Sequence, residues 1–556
     1  MKTTRREFLI TTAGAAGLLP FSSAWGLAPN HESPFQHGIA SGDPLARSVV
    51  LWTRVTPSSH GYPVPVRWVV ATDPGLTQPV AEGVAVTGPQ RDFTVKVLAR
   101  RLSPATTYYY RFIALGEASK IGRTRTLPEG EVERLRLGMV SCSNWPYGFF
   151  NAYALLARRE DLDAVLHLGD YVYEYANGEY GDGSLLAPER IPMPNREMVT
   201  LSDYRTRHAQ YKTDPDLQEC HRQHPFITIW DDHEFADDSY RDGAENHQPQ
   251  TEGAWSDRKA AAQRAYFEWM PIRPSRLYDD FNVFDEVERD RRVYRRFRFG
   301  NLLDLIMLDT RLIGRDQQAS GPADTATIAD PGRSLLGRRQ EEWFFRQLRQ
   351  SQERGATWRL LGQQVMFGQL KVPPGDPIFL PIDQRPPVSL NVDQWDGYQP
   401  ARDRVIREIQ AVGAGNLVVL TGDIHTSWGQ ELSTNPYDPA VYDPRDPARA
   451  SLGVEFVCPG ITSPGIPDPE AARLAEAAAL RTQPHLSFAN FEKRGYILLD
   501  IDGSHTQAEW YFMDTVTERL ASETFGGARR ANVGTNRLEN VPRPSSPRPD
   551  PPPPAP

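Results

Sequence analysis

Four short apolar runs in this chain each end in side chains able to hold a metal ion. Ala164 to Leu168 runs into Gly169-Asp170-Tyr171-Val172-Tyr173, and Leu135 to Val140 into Ser141-Cys142-Ser143-Asn144. Phe226 to Trp230 runs into Asp231-Asp232-His233-Glu234, and Leu417 to Leu420 into Thr421-Gly422-Asp423-Ile424-His425. Apolar runs this short read as buried strands. A carboxylate at the end of a buried strand is costly unless a positive partner meets it. A single Gly-Asp after a strand is ordinarily a helix N-cap. Four clusters of one build change that reading, because sites in α/β sheets form outside the carboxyl ends of strands. Cysteine, aspartate, tyrosine and histidine together make a metal-ligand set.

The order Asp-x-x-Tyr, then Asp-Asp-His-Glu, then Gly-Asp-x-His resembles the calcineurin-like metallophosphatases, and more closely the PhoD-like alkaline phosphatases. The resemblance runs from about Phe35 to Thr515. It also takes in Gly38-Ile39-Ala40-Ser41-Gly42-Asp43-Pro44, Leu51-Trp52-Thr53-Arg54, Ser141-Cys142-Ser143 and Gly169-Asp170-Tyr171-Val172-Tyr173-Glu174. It implies a four-layer αββα catalytic domain preceded by a small all-β, fibronectin-like sandwich. It also implies hydrolysis of phosphate esters by a metal-bound hydroxide. Two close cations neutralise the phosphate oxygens and generate that nucleophile near neutral pH.

A carboxylate must bridge two cations, and Asp170 fits by position. The resemblance implies that Cys142 takes the first ligand position and that Tyr173 and His425 complete the iron side. Phenolate and thiolate ligands suit ferric iron better than magnesium. Asp232 and Asp423 stand where related two-metal phosphatases carry Asn and His, which makes the second site rich in oxygen and suited to calcium. The resemblance implies one Fe3+ with one or two Ca2+ as cofactors, and this ligand chemistry agrees with it. Asp237 and Asp238 offer further calcium ligands, with a solvated acidic loop as the competing reading. The resemblance gives His233 contact with phosphate or the leaving group, a role its proton affinity suits. Glu234, next to it, reads as the group that orients it. Asn144 either holds the loop beside Cys142 or contacts phosphate. Arg311 is either a phosphate clamp or a structural partner of Asp309, and Gln364 a further candidate near the second metal. His208, His221, His224 and His247 lack ligand spacing and read as surface or packing histidines.

These residues need a scaffold. At 556 residues the chain holds two or three domains with ample core. Residues 1–28 read as a twin-arginine signal: Thr4-Arg5-Arg6-Glu7-Phe8-Leu9, an apolar stretch to Leu19, then small residues at Ser22-Ser23-Ala24. The twin-arginine export machinery is the implied partner, with a periplasmic, secreted or cell-wall location. Residues 29–130 read as the β-sandwich, from the alternation at Val64, Val66, Trp68 and Val70 and again at Tyr108, Tyr110 and Phe112. Residues 131–525 alternate strand and helix, with helices at Ser202–Tyr211, Ser256–Trp269, Arg338–Arg349 and Ala401–Val412. Two loops, Asn177–Val199 and Pro373–Asp396, are rich in Gly or Pro and read as site-side loops. Residues 526–556 read as a flexible Pro-rich tail.

Net charge is −9, which leaves no basic footprint for nucleic acid. No apolar run in the mature chain reaches the length of a membrane span. The cysteines are Cys142, Cys220 and Cys458. A Cys220–Cys458 bridge is open, and unpaired buried thiols are the default. Nothing in the pattern sets an oligomeric state. Two rival functions remain. One is a phosphodiesterase or phospholipase D-type hydrolase of lipid or cell-wall phosphodiesters, which would share the same ligands. The other is a catalytically inactive extracytoplasmic binding protein, against which the intact ligand set counts.

Overall fold

A computed structural model describes residues 33–58, 62–273, 292–372, 388–446 and 451–556. The signal-peptide reading and most of the 373–396 loop lie outside these residues.

Two sheets carry the catalytic region. In the first, Arg134–Val140, Ala164–His167 and Pro225–Thr228 run parallel side by side. In the second, Leu303–Met307, Trp358–Gly362, Leu417–Thr421 and Gly453–Val457 do the same. Side-chain alternation explains the layering, since successive strand residues face opposite ways. Leu305, Leu360, Val418 and Leu420 join Leu137, Met139 and Leu166 in the core between the sheets. Their neighbours Ile306, Leu361 and Val419 face outward, onto Phe344 and Leu348 of the helix Gly337–Glu353 and Val405, Ile406 and Ile409 of the helix Gln399–Val412. Helices Asn151–Ala157, Leu201–Tyr211, Pro215–Gln223 and Trp255–Trp269 add buried side chains to the core of the first sheet. The αββα expectation is met.

The helices expected from periodicity form within a few residues of their expected ends. Thr200 caps Leu201–Tyr211 in a reciprocal capping box with Asp203. Asp203 thus serves its own helix, and Arg205 ties that helix to Trp255–Trp269 through Glu268 at 2.7 Å. His208, His221, His224 and His247 are all buried, so they pack rather than face solvent. All three cysteines are buried and free, as the default reading had it. Among the described residues no helix is long and apolar enough to cross a membrane.

Two features depart from the expected boundaries. A sandwich core forms at the N-terminal end from Val49, Leu51, Val66, Val70, Tyr110 and Phe112. One of its two sheets, however, is the continuation of the catalytic sheet. Strand Ile39–Leu45 pairs parallel with Pro225–Thr228, and Ser48–Arg54 and Thr94–Arg100 extend the edge to give ten strands. Residues 34–556 accordingly form one unit.

The second departure is the tail. Glu523–Asn532 and Leu538–Val541 are strands at the opposite edge of the same sheet. The prolines after them cannot pair in a sheet, and side chains take up the exposed carbonyls instead. Arg134 and Arg136 donate to Ser546 O, Arg123 to Pro552 O at 2.9 Å, Tyr109 to Pro553 O at 2.6 Å and Arg222 to Pro556 O at 2.7 Å. Arg548 meets Asp163 through both terminal nitrogens. The tail therefore straps the sandwich to the catalytic sheet. Truncation after Val541 is expected to lower the melting temperature by a few degrees in calorimetry. An unchanged melt would show that the strap carries no stability.

Candidate metal centre

The four ligand clusters meet because the parallel strands of both sheets end at one place. Ser141 makes a parallel bridge with Gly460, and the Ser143 amide donates to Asp170 O at 2.9 Å. Two glycines permit the approach. A Cβ on Gly169, whose φ is +104°, would lie 2.4 Å from Asp231 Cβ. One on Gly422 would lie 2.9 Å from Ser141 Cβ. Cys142, Asp170, Asp423 and His425 all have left-handed backbones, with φ of 60°, 55°, 63° and 58°. Such strain in non-glycine residues gathers at functional sites. Here it turns each ligand candidate off its strand end toward the others.

Asp170 is the hub. Its Oδ2 accepts from the Tyr173 hydroxyl at 3.0 Å and stands 3.9 Å from His425 Nε2. Its buried Oδ1 has no hydrogen-bond partner among the described residues. His425 Nε2 is 3.2 Å from the Tyr173 hydroxyl, which also accepts from Ser463 at 2.6 Å. Ligand atoms of Cys142, Asp170 and His425 come within 4.8 Å of one another. So do those of Asp170, Asp232 and His233, those of Asp231, Asp232 and Asp423, and those of Asp232, Asp237 and Asp238. Asp170 belongs to the first two of these groups and Asp232 to the last three, so the two carboxylates link the candidates into one cluster.

The electrostatics call for added positive charge. Burial, reinforced by neighbouring carboxylates, pushes Asp232 up to about 8 and Asp238 up to about 9, and raises Asp231 and Asp423 too. Burial also raises the Cys142 thiol and the Tyr173 phenol well above their ordinary range, with Asp170 adding to both. Burial raises Asp170 as well, but the charges of His233, His425 and Arg311 prevail and hold it down at about 2. An ionised hub amid carboxylates, a thiol and a phenol that resist ionisation is the situation a cation relieves. The donor set fits two kinds of ion: sulfur, phenol and imidazole on one side, and carboxylate oxygen on the other.

Several roles read from the sequence are corrected. Glu234 does not orient His233. Its carboxylate accepts the backbone amides of Asp170 at 3.1 Å, Tyr171 at 2.7 Å and Asp231 at 2.7 Å, and so pins two strand ends together. Glu174 holds His233, with Oε2 2.8 Å from Nδ1, and is itself fixed by the Asp237 amide and the Asn246 side chain. Arg311 is neither a phosphate clamp nor chiefly a partner of Asp309. It is fully buried, and its guanidinium donates to Asp231 at 2.6 Å, to Asp393 at 2.8 Å and to Asp423. Only its backbone amide reaches Asp309, at 3.0 Å. Gln364 is also structural, bonding the carbonyls of Trp230 and Leu308 and the Thr310 amide.

Asn144 is buried beside the centre, with Oδ1 unpartnered among the described residues. Asp237 accepts from Tyr175 at 2.6 Å, and the Asp238 amide donates to Asp232 at 2.8 Å.

The chain's similarity to known proteins agrees with this geometry. The family model described as "PhoD-like phosphatase" matches residues 137–510, which include all four clusters. This chain belongs to the PhoD-like phosphatase family. A second model, "PhoD-like phosphatase, N-terminal domain", matches residues 22–128. The chain is 36% identical to alkaline phosphatase D of Bacillus subtilis (strain 168) over 538 residues, 92% of this chain and 85% of that protein. A solved structure of PhoD superposes with a TM-score of 0.79 at 35% identity, covering 93% of this chain and 94% of that one. As a PhoD-type protein it is a phosphoric ester hydrolase, with the αββα architecture and all-β N-terminal region of that fold.

Sequence reasoning gave no role to Glu174, Tyr180, Ser463 or Asp393. Glu174 carried a signal as the residue that closes the Gly-Asp-x-x-Tyr-Glu motif, while Tyr180 and Asp393 lie in the two loops read as site-side without being singled out there.

Proposed function

We propose that this PhoD-type protein is an exported, metal-dependent alkaline phosphatase whose centre holds one iron and one or two calcium ions. The observation that carries the proposal is the unshared Oδ1 of buried Asp170, with Cys142, Tyr173 and His425 on one side and Asp232 and Asp423 on the other. The first three would hold iron, and Asp232 and Asp423 calcium, with Asp170 common to both. Asp237 and Asp238 lie within reach of Asp232 as further oxygen ligands. When bound, such ions neutralise phosphate oxygens and lower the proton affinity of a water.

The protein's own residues do the rest. Glu234 fixes the backbone that carries Asp170 and Asp231. Arg311 offsets part of the charge of Asp231, Asp393 and Asp423, so the carboxylates can share one cavity. Gln394 donates to the second oxygen of Asp423 at 2.6 Å, and the His233 and Asp238 amides donate to the two oxygens of Asp232, so a cation would use the remaining lone pairs of both carboxylates. Glu174 raises His233 well above its usual range although burial alone would lower it. The imidazolium so held can bind a phosphate oxygen and pass its proton to the departing alkoxide. Asn144 Oδ1 or Nδ2 offers a further polar contact to the ester.

Export rests on the twin-arginine pattern at Thr4 to Leu9. Turnover of a chromogenic phosphate monoester against the matching diester, with iron and calcium supplied and a chelator control, tests the function. Chelator-sensitive monoester turnover supports a phosphatase. Preference for the diester moves the assignment to the phosphodiesterase reading. No turnover of either by the metal-loaded protein would favour an inactive binding protein. Iron at Tyr173 predicts visible phenolate-to-iron absorption, which Tyr173→Phe should abolish. An unchanged spectrum in that variant would remove Tyr173 from the ligand set.

A further inference from the structure

Tyr180 reaches the centre from a loop, not from a strand end. The loop is tightly built. Gly178 and Gly181 have φ of +88° and +94°, and the Gly178 amide donates to Gly181 O at 2.8 Å. Asn177 ties its base, donating to Asp182 Oδ1 at 2.7 Å and accepting from the Gly183 amide at 2.8 Å. A Cβ on Gly181 would come 2.7 Å from the ring of Tyr147, which stacks edge-on against Tyr180 at 5.3 Å. The loop thereby fixes the direction of the Tyr180 ring.

That ring lies nearly parallel to both histidines of the site, at 17° to His233 and 24° to His425. Its carbonyl accepts from Asn144 Nδ2 at 3.4 Å. Its hydroxyl stands 3.2 Å from His425 Nδ1, while Nε2 of the same imidazole faces the Tyr173 hydroxyl and Asp170. An imidazole that offers the Nε2 lone pair to a metal carries its proton on Nδ1. The partner of that proton sets both tautomer and ring orientation.

We propose that Tyr180 is the positioning residue of His425, its hydroxyl accepting Nδ1–H and so committing Nε2 to the metal. The inference rests on the metal-centre reading above. It assigns to the 177–199 loop a part in building the centre rather than only in covering it.

The test uses the full-length metal-loaded protein and reads metal retained against graded chelator by elemental analysis. Tyr180→Phe keeps the ring and removes only the hydroxyl. It should melt like the parent when metal-free, yet hold metal about 10- to 100-fold more weakly. Tyr147→Phe, which alters the aromatic neighbour without touching a histidine, should retain metal like the parent. Equal loss in Tyr147→Phe, which also removes only a ring hydroxyl, would show that the effect is not specific to the bond with His425, and would overturn the proposal. Parent-like retention in Tyr180→Phe, together with loss in His425→Ala, would overturn it while leaving the metal centre intact. Parent-like retention in His425→Ala would remove His425 from the centre and the proposal with it.

Discussion

Asp170→Asn is expected to lower kcat for phosphate-ester hydrolysis by about 10³-fold or more, with little change in fold. The substitution is nearly isosteric. The backbone at Asp170 is left-handed, with φ of 55°, a conformation that asparagine tolerates better than most residues. The Tyr173 hydroxyl keeps a carbonyl acceptor in place of Oδ2. What disappears is the negative charge at the hub. Without it Cys142, Tyr173 and His425 no longer share an anion with Asp232 and Asp423, and two cations would face each other unscreened. Circular dichroism and melting should match the parent, while elemental analysis should show metal lost. Near-parental turnover in a folded Asp170→Asn protein would rule out a bridging role.

Glu174→Gln is expected to lower kcat by about 10- to 100-fold and to move the alkaline limb of the kcat profile toward lower pH. Burial alone would strip His233 of its proton, whereas Glu174, Asp170 and Asp232 restore it, Glu174 most strongly. Glutamine keeps a hydrogen-bonding side chain near Nδ1 but removes the charge. The folded-state proton affinity of His233 then falls, so the proton leaves at a lower pH. A mechanism that needs imidazolium loses rate over that same range. A fall in kcat without movement of the limb would assign Glu174 to support of the loop, through the Asp237 amide and Asn246, and not to the proton on His233.

The ligands were legible in the sequence because each follows a strand directly. Each candidate lies at the end of an apolar run, with a glycine directly before Asp170 and Asp423, and the resemblance then gave Cys142, Asp170, Asp232 and Asp423 their ligand positions. The supporting partners were not legible, because their contacts join distant parts of the chain. Glu174 meets His233 across 59 positions, and Tyr180 meets His425 across 245. Sequence adjacency made Glu234 the evident partner of His233, but its carboxylate turns back onto three amides that the strand ends leave open. Arg311 is a similar case. Its five acidic neighbours, Asp231, Asp232, Asp238, Asp393 and Asp423, come from three separate segments, and no spacing rule joins them to Asp309-Thr310-Arg311.

The fold shows the same limit. Alternation located the strands Val64–Ala71 and Thr107–Ala114, but not Ile39–Leu45, whose pairing with Pro225–Thr228 depends on a long-range register, Ser41 to Pro225. Composition suggested a loose tail, whereas arginines contributed by other segments hold its carbonyls.

Crystals of the protein purified after export, with diffraction recorded on both sides of the iron absorption edge, test the metal centre most directly. The expected result is one anomalous iron peak among Cys142 Sγ, the Tyr173 phenol oxygen, Asp170 and His425 Nε2. A lighter ion bound by oxygen should sit beside it at Asp232 and Asp423. An active crystal form with no transition-metal peak at those four side chains would contradict the proposed centre.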